Sequence, residues 1–441
     1  MAVNWDEVRE EVTGHLQALL RLDTVNPPGN ETHAAEYLAG VARREGLEPV
    51  VVESQPGRGN FVARLRGSGA GRPVLLMGHT DVVSVEPERW THGPFSGDLA
   101  DGYVWGRGAV DMKGQVAAEL TALLLLKRQG VPLGRDVIMA AFADEEAGST
   151  WGAKWMWENR RDLIDAEYAL NEGGGAALDL GGRRFYLCQV GEKGGARMRI
   201  VARAQPGHAS VPRDDTAMYR LGKALVRLHE FEPPTILTRP VEQMLRTMAA
   251  ALDGDARQAV EAALADPSAA TLARLPLDEI TRLQLRATTR NTAVPTIVGG
   301  GHRINVIPSE VWVDVDGRVL PGQDPAEWAR QVQQAVGDEV EVQPRGGSTG
   351  LQADPESPFF DAIAAVMGEQ DRGALVAPFL VSGGTDAKAL PGIKVYGFMP
   401  SRNGAEESGL AHAHDERVRV DSLLFGTRCL YEIVRRFCGA S

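Results

Sequence analysis

PVLLMGHTD, residues 73–81, is a short apolar run that ends abruptly in a histidine and an aspartate. It is too short for an ordinary helix and lacks alternation, so it reads as a strand buried on both faces, with Val74 to Met77 at its centre. The same design recurs downstream. DVIMAAFAD (136–144) runs into Glu145-Glu146, and EYALN (167–171) runs into Glu172-Gly173-Gly174. Asp111 closes the glycine-containing loop GRGAVDMKG (106–114) just before a helical stretch at 113–129. In an open α/β sheet the ligand crevice lies at the carboxyl ends of the strands. Three strands carrying histidine or carboxylate at that end therefore predict a site along one edge.

Working outward, residues 5–22 and 34–45 carry apolar positions at helical spacing, and the second stretch follows the turn-forming NPPGNET, where Asn30 or Thr32 could cap it. Asn60 to Leu65, Val137 to Phe142, Glu167 to Leu170, Leu375 to Val381 and Ile393 to Met399 read as further strands, and 421–437 as a closing helix. Strands alternating with helices predict an α/β domain with a mostly parallel sheet and helices on both faces. At 441 residues the chain exceeds what one core ordinarily supports, so a second domain is expected. The texture changes near residue 193. GARMRIVARAQ, Thr216 to His229, Thr292 to Val298, Glu310 to Val319, Pro325 to Val336 and Val340 to Gln343 follow as strand, helix, strand, strand, helix, strand, the split order of a ferredoxin-like α+β unit. The predicted organisation is a catalytic domain of residues 1–192 and 346–441 with a domain of residues 193–345 inserted, the latter carrying a helical elaboration at about 235–288.

Composition narrows the function. A formal charge of −12 opposes binding to phosphate backbones, so nucleic acid is not an expected partner. The chain has no uninterrupted apolar run of about 20 residues, so no membrane helix is expected. The acidic opening MAVNWDEVREEV does not resemble a secretory signal. Three cysteines, Cys188, Cys429 and Cys438, are few and odd in number, which predicts free thiols in a reducing cytoplasm.

Singly, the candidate ligands have plain explanations: an aspartate before Met-Lys-Gly caps a helix, and Glu145-Glu146 is a solvated loop. Their convergence favours chemistry. His79, Asp111, Glu146, Glu172 and His412 form a mixed imidazole and carboxylate set that suits zinc, with cobalt or manganese as substitutes, and exceeds what one tetrahedral ion needs. Two divalent ions sharing a carboxylate, about 3.5–4 Å apart, polarise a carbonyl and acidify a water, which leads to hydrolysis. With Glu146 as ligand, the adjacent Glu145 becomes the general base that carries a proton to the leaving amine. Asp81, two residues from His79, holds that imidazole.

GHTDVV (78–83), GRGAVDMKG, DEEAGS (144–149) and NEGGG (171–175), in this order, resemble the M20 family of metallopeptidases and deacylases, and QPGHASVP, NVIP, DGRVLPG, SGGTDA and HAHDE extend the likeness over nearly the whole chain. The resemblance implies that His79 and Glu172 hold one metal, Glu146 and His412 the other, and that Asp111 bridges. It selects His412 over His414, because Glu416 follows at the family's spacing of four, although a His-x-His pair in an alternating strand could present both rings to one face. It further implies a homodimer through the inserted lid domain, with His208 lent across the interface to an oxyanion and Asn305 assisting. Arg318 would bind a substrate carboxylate bidentately, near Gly384 and Thr385. The substrate implied is a small peptide or an N-acyl amino acid. Biosynthetic N-deacylation of the acetylornithine or succinyl-diaminopimelate type is the alternative.

A metal-binding protein of the same fold without activity is a different class of reading. It has no need of Glu145, Asp81 and His208 together. A dinucleotide site is suggested by GSGAG (67–71), but those glycines precede a strand and do not link a strand to a helix.

Overall fold

The computed structural model describes residues 3–403, 406–407 and 409–440. They form two compact units. One comprises the chain up to Val190, Ala353–Phe379 and the part from Thr385 onward; the other comprises Gly191–Gln352 and Leu380–Gly384.

The main sheet of the first unit has a parallel centre of four strands, in the order Arg135–Phe142, Gly71–His79, Tyr168–Asn171, Lys394–Gly397. Antiparallel strands extend it at both margins, Gly59–Leu65 against Arg135–Phe142 and Arg183–Glu192 against Lys394–Gly397. The apolar runs explain this placement. Val74, Leu76, Val137 and Met139 enter a core shared with the helices Trp5–Leu20, Glu31–Arg44, Lys113–Arg128, Pro358–Gln370 and Val420–Cys438. Leu75, Met77, Ile138 and Ala140 alternate with them on the opposite face and are also fully buried. A strand apolar at every position is thus covered on both sides, and this is the mixed α/β arrangement that the alternation of elements implies. Because the central strands are parallel, their carboxyl ends share one edge. His79 is the last residue of its strand, Glu172 directly follows Asn171, and Glu145-Glu146 follow Phe142 by three and four residues.

One capping expectation is corrected. Asn30 occupies the N-cap of Glu31–Arg44 but makes no side-chain cap bond, and the Thr32 hydroxyl instead donates to Glu53 at 2.9 Å.

The second unit holds a four-stranded antiparallel sheet in the order Thr292–Gly300, Glu310–Val319, Gly194–Arg203, Val340–Gly347. Helices Ala217–Glu230 and Pro325–Val336 cover one face through Leu221, Leu228, Trp328 and Val332, packed on Met198, Ile200, Val313 and Val315. Burial therefore alternates along Glu310–Val319. The segment read as a helical elaboration folds as Arg239–Ala251, Gly254–Ala265, Ala269–Leu272 and Glu279–Ala287.

Leu76 is fully buried in the central strand, so Leu76→Ala is expected to lower stability by about 2–5 kcal/mol, read as a fall in the urea midpoint at unchanged slope.

Candidate metal centre

His79 Nδ1 lies 3.0 Å from the backbone carbonyl of Asp81 and 3.4 Å from its carboxylate. A carbonyl only accepts, so Nδ1 carries a hydrogen and Nε2 is the nitrogen turned toward the site. That nitrogen is 3.1 Å from Asp111 Oδ1 and 3.7 Å from Glu172 Oε2. The Asp81 side chain does more than touch the ring. It accepts from the backbone N–H of Glu145 at 3.0 Å and of Glu146 at 3.1 Å, so one buried carboxylate holds both the imidazole and the acidic turn.

The second imidazole is His412, in a turn with φ of 62°. Its Nε2 lies 3.2 Å from Asp111 Oδ2 and 3.1 Å from Glu146 Oε1. His414 points elsewhere, 3.7 Å from Glu86. The alternating strand considered for the two histidines does not form, because residues 411–415 make turns and the strand begins at Arg417–Arg419. A buried ion pair joins the loops that carry Asp111 and His412. Glu416 Oε1 accepts from the backbone N–H of Val110 at 2.8 Å and of Asp111 at 3.0 Å, and Arg107 reaches Glu416 Oε2 at 2.6 Å and the His412 carbonyl at 3.2 Å.

The donor set suits divalent cations. His79, Asp111 and Glu146 bring one donor atom each within 4.8 Å of one another, and so do His79, Glu145 and Glu172. Glu145 is therefore close enough to ligate as well as to act beside the ligands. The electrostatics point the same way. Burial, reinforced by the charge of Glu172, pushes the Glu145 carboxyl up to about 10. Burial lifts Glu172 to about 7 against the pull of His79. Hydrogen bonds to Asp111 and Glu146 raise His412 to about 10. Burial would lower His79, but Glu172, Asp111 and Asp81 together hold it well above its ordinary value. Such a cluster has more negative charge than its imidazoles can balance, which is the condition that a bound cation relieves.

A pocket of about 280 Å³ adjoins Asp111 and Glu172 and is walled mainly by apolar groups, among them Ala176, Met399, Val418 and Leu423. Thr385, whose hydroxyl accepts from Ala387 N at 3.1 Å and from Asn171 Nδ2 at 3.0 Å, starts a short turn that carries the buried Asp386. In the second unit the structure brings His208 and Asn305 into one small hairpin: Gly207–His208 pairs with Val306–Ile307, and Ala209 N–H donates to the Asn305 carbonyl at 3.0 Å. His208 Nδ1 is 2.7 Å from Ser210 Oγ. Arg318 Nε donates to Asp316 at 3.1 Å, so part of its fork is engaged within its own strand. Gly384 ends the short segment Leu380–Gly384 of the same unit.

Residues 75–436 match the sequence profile of peptidase family M20/M25/M40. The chain belongs to this family. Pig (Sus scrofa) aminoacylase-1 is 28% identical over 419 residues, covering 92% of this chain and 90% of that protein. Succinyl-diaminopimelate desuccinylase of Methylorubrum extorquens is 37% identical over 205 residues, 44% of this chain and 51% of the relative. Among solved structures, the M20 family metallo-carboxypeptidase Sso-CP2 of Sulfolobus solfataricus superposes with a TM-score of 0.73 at 20% identity, covering 97% of this chain and 99% of that one. A dinuclear metal binding M20 peptidase of Bacillus subtilis gives 0.65 at 13% identity and 98% of each chain. As a member of this peptidase family, the protein is a hydrolase acting on amide bonds. Among the described residues, no helix is long and apolar enough to cross a membrane.

Arg107 and Glu416 are residues of this M20 protein to which sequence reasoning gave no role at the centre. The two lie 309 positions apart in separate motifs, GRGAVDMKG and HAHDE, and nothing local pairs them. Glu416→Gln strips the charge from a carboxylate that holds two backbone N–H groups and a buried guanidinium. Its divalent-metal affinity is expected to fall about 10–100-fold in competition with a chelator, with the fold retained by circular dichroism.

Proposed function

We propose that this M20 hydrolase works with two divalent ions, zinc by preference and cobalt or manganese as substitutes, on the amide bond of small peptides or N-acyl amino acids. The observation that carries this reading is the posture of Asp111, which offers one carboxylate oxygen to His79 at 3.1 Å and the other to His412 at 3.2 Å. A carboxylate facing two imidazoles is disposed to bridge. His79 and Glu172 would complete one coordination set, Glu146 and His412 the other. When bound, the ions polarise the scissile carbonyl, acidify a water and offset the surplus carboxylate charge.

The chain supplies the remaining steps. Glu145, 3.0 Å from Asp81 through its backbone N–H, is held beside the ligands; with bound cations offsetting the neighbouring carboxylates that raise it, it would stand ionised, take a proton from the attacking water and pass it to the departing amine. The apolar pocket beside Asp111 and Glu172 receives an uncharged part of the substrate. We assign the substrate carboxylate to Arg318 with Gly384 and Thr385, and the developing oxyanion to His208 with Asn305. We read the second unit as a ferredoxin-like lid through which the chain dimerises. Its outer strand Thr292–Gly300 is a sheet edge whose Val294, Ile297 and Val298 are 55%, 58% and 70% exposed. Three free, buried cysteines suit the cytoplasm, the compartment we propose. N-deacylation of the desuccinylase type is the second reading, favoured by the 37% identity over 205 residues.

Metal-stripped protein is expected to cleave a panel of dipeptides and N-acyl amino acids only after zinc, cobalt or manganese is restored; absence of cleavage by fully loaded protein would contradict the reading. Glu145→Ala should lose turnover and keep its metal, and loss of bound metal would instead make Glu145 a ligand. His208→Ala should lower kcat about 10²–10³-fold in a dimer of unchanged stability, whereas a fully active monomer would exclude a role across the interface.

A further inference from the structure

The motif NPPGNE at 26–31 belongs to a buried polar network that reaches Asp81 and Asp144. Asn26 is 7% exposed, and its amide nitrogen donates to Asp81 Oδ2 at 2.8 Å and to Asp144 Oδ1 at 3.0 Å. Its oxygen accepts from Arg58 Nη2 at 2.8 Å, and Arg58 Nη1 donates to the fully buried Glu31 at 2.6 Å. Arg58 Nη2 also lies 3.6 Å from Asp144. Each part is thereby oriented. The Asn26 oxygen faces a cation, so its two hydrogens must face the acids, one to each, and the amide keeps Asp81 and Asp144 apart.

The surrounding backbone is shaped for this. Gly29 has φ of 78°, and a Cβ there would lie 1.9 Å from Arg58 Nη1. The Asn26 N–H donates to the Val82 carbonyl at 2.9 Å, which locks the motif to the segment that follows Asp81. Asp144 has φ of 67° and accepts from Trp151 N–H at 3.1 Å, fixing the far side of the turn that presents Glu145 and Glu146.

We propose that Asn26 and Arg58 are positioning residues of the metal centre: they set the Asp81 carboxylate, and through it the His79 ring and the Glu145-Glu146 turn. The inference rests on the two-metal reading above. Charge alone would not suffice, because the guanidinium must serve Glu31 and Asn26 from separate nitrogens, which a lysine does not reproduce.

Asn26→Asp is isosteric but replaces both donors with an acceptor between two carboxylates. The full-length chain is loaded with cobalt and compared with Asn26→Asp, Arg58→Lys and the core control Val12→Ala. Both network variants should show shifted visible absorption bands of the bound cobalt. Cobalt affinity and kcat should fall about 10–100-fold, with KM unchanged. Val12→Ala should lower the melting temperature and leave the spectrum and kcat alone. The proposal is overturned if either network variant, once loaded, keeps the parent spectrum and kcat, if its losses merely follow its melting temperature, or if neither variant folds. A parent that binds cobalt but cleaves nothing would count against the hydrolytic reading, while the spectra still decide the positioning.

Discussion

Buried negative charge is what this architecture has to manage. Asp111, Glu145, Glu146 and Glu172 converge on His79 and His412, and Asp81, Asp144, Glu31 and Glu416 lie fully or almost fully buried behind them. Leaving such a group ionised without a partner is costly. The acids behind the centre have partners in the protein: Glu416 has Arg107 and two backbone N–H groups, Glu31 has Arg58, and Asp81 has Asn26, His79 and the Glu145-Glu146 turn. The acids at the centre have two imidazoles among them. The contrast separates a scaffold that is complete within the protein from a site that calls for added positive charge.

The scaffold also fixes where the candidate ligands stand. Each candidate ligand leaves the end of a parallel strand or a loop tied by buried hydrogen bonds, and the strands are packed on both faces. The strand ends are anchored through Val74 to Met77 and Val137 to Phe142, which lie buried in the core. Catalytic geometry of this kind is held best on regular elements with a supporting shell of hydrogen bonds.

Much of this was legible in the sequence. A strand apolar at every position, ending in a candidate ligand, announces both its burial and its edge, and three such strands place the acidic cluster before any coordinates exist. His412 was legible through family spacing alone, since its loop has no periodicity to read. Of the supporting shell only Asp81, two residues from His79, was legible. Asn26 and Asp144 are 118 positions apart, and Arg107 and Glu416 are 309, so nothing local links them. At Asn30 the N-cap position was legible and the cap bond was not: Asn30 stands there without a side-chain bond, and the next residue, Glu31, pairs with the distant Arg58. The second compact unit runs from Gly191 to Gln352 and adds Leu380–Gly384 from a distant part of the chain, a grouping that composition cannot show.

The central claim is that Asp111 is shared between two cations. The direct test is the zinc content of the full-length protein, measured by elemental analysis after equilibration at matched free zinc, for the parent and for Asp111→Asn. The account predicts two zinc ions per chain in the parent and the loss of at least one in the variant. One zinc in the parent, or two retained in Asp111→Asn with parental affinity, would contradict it.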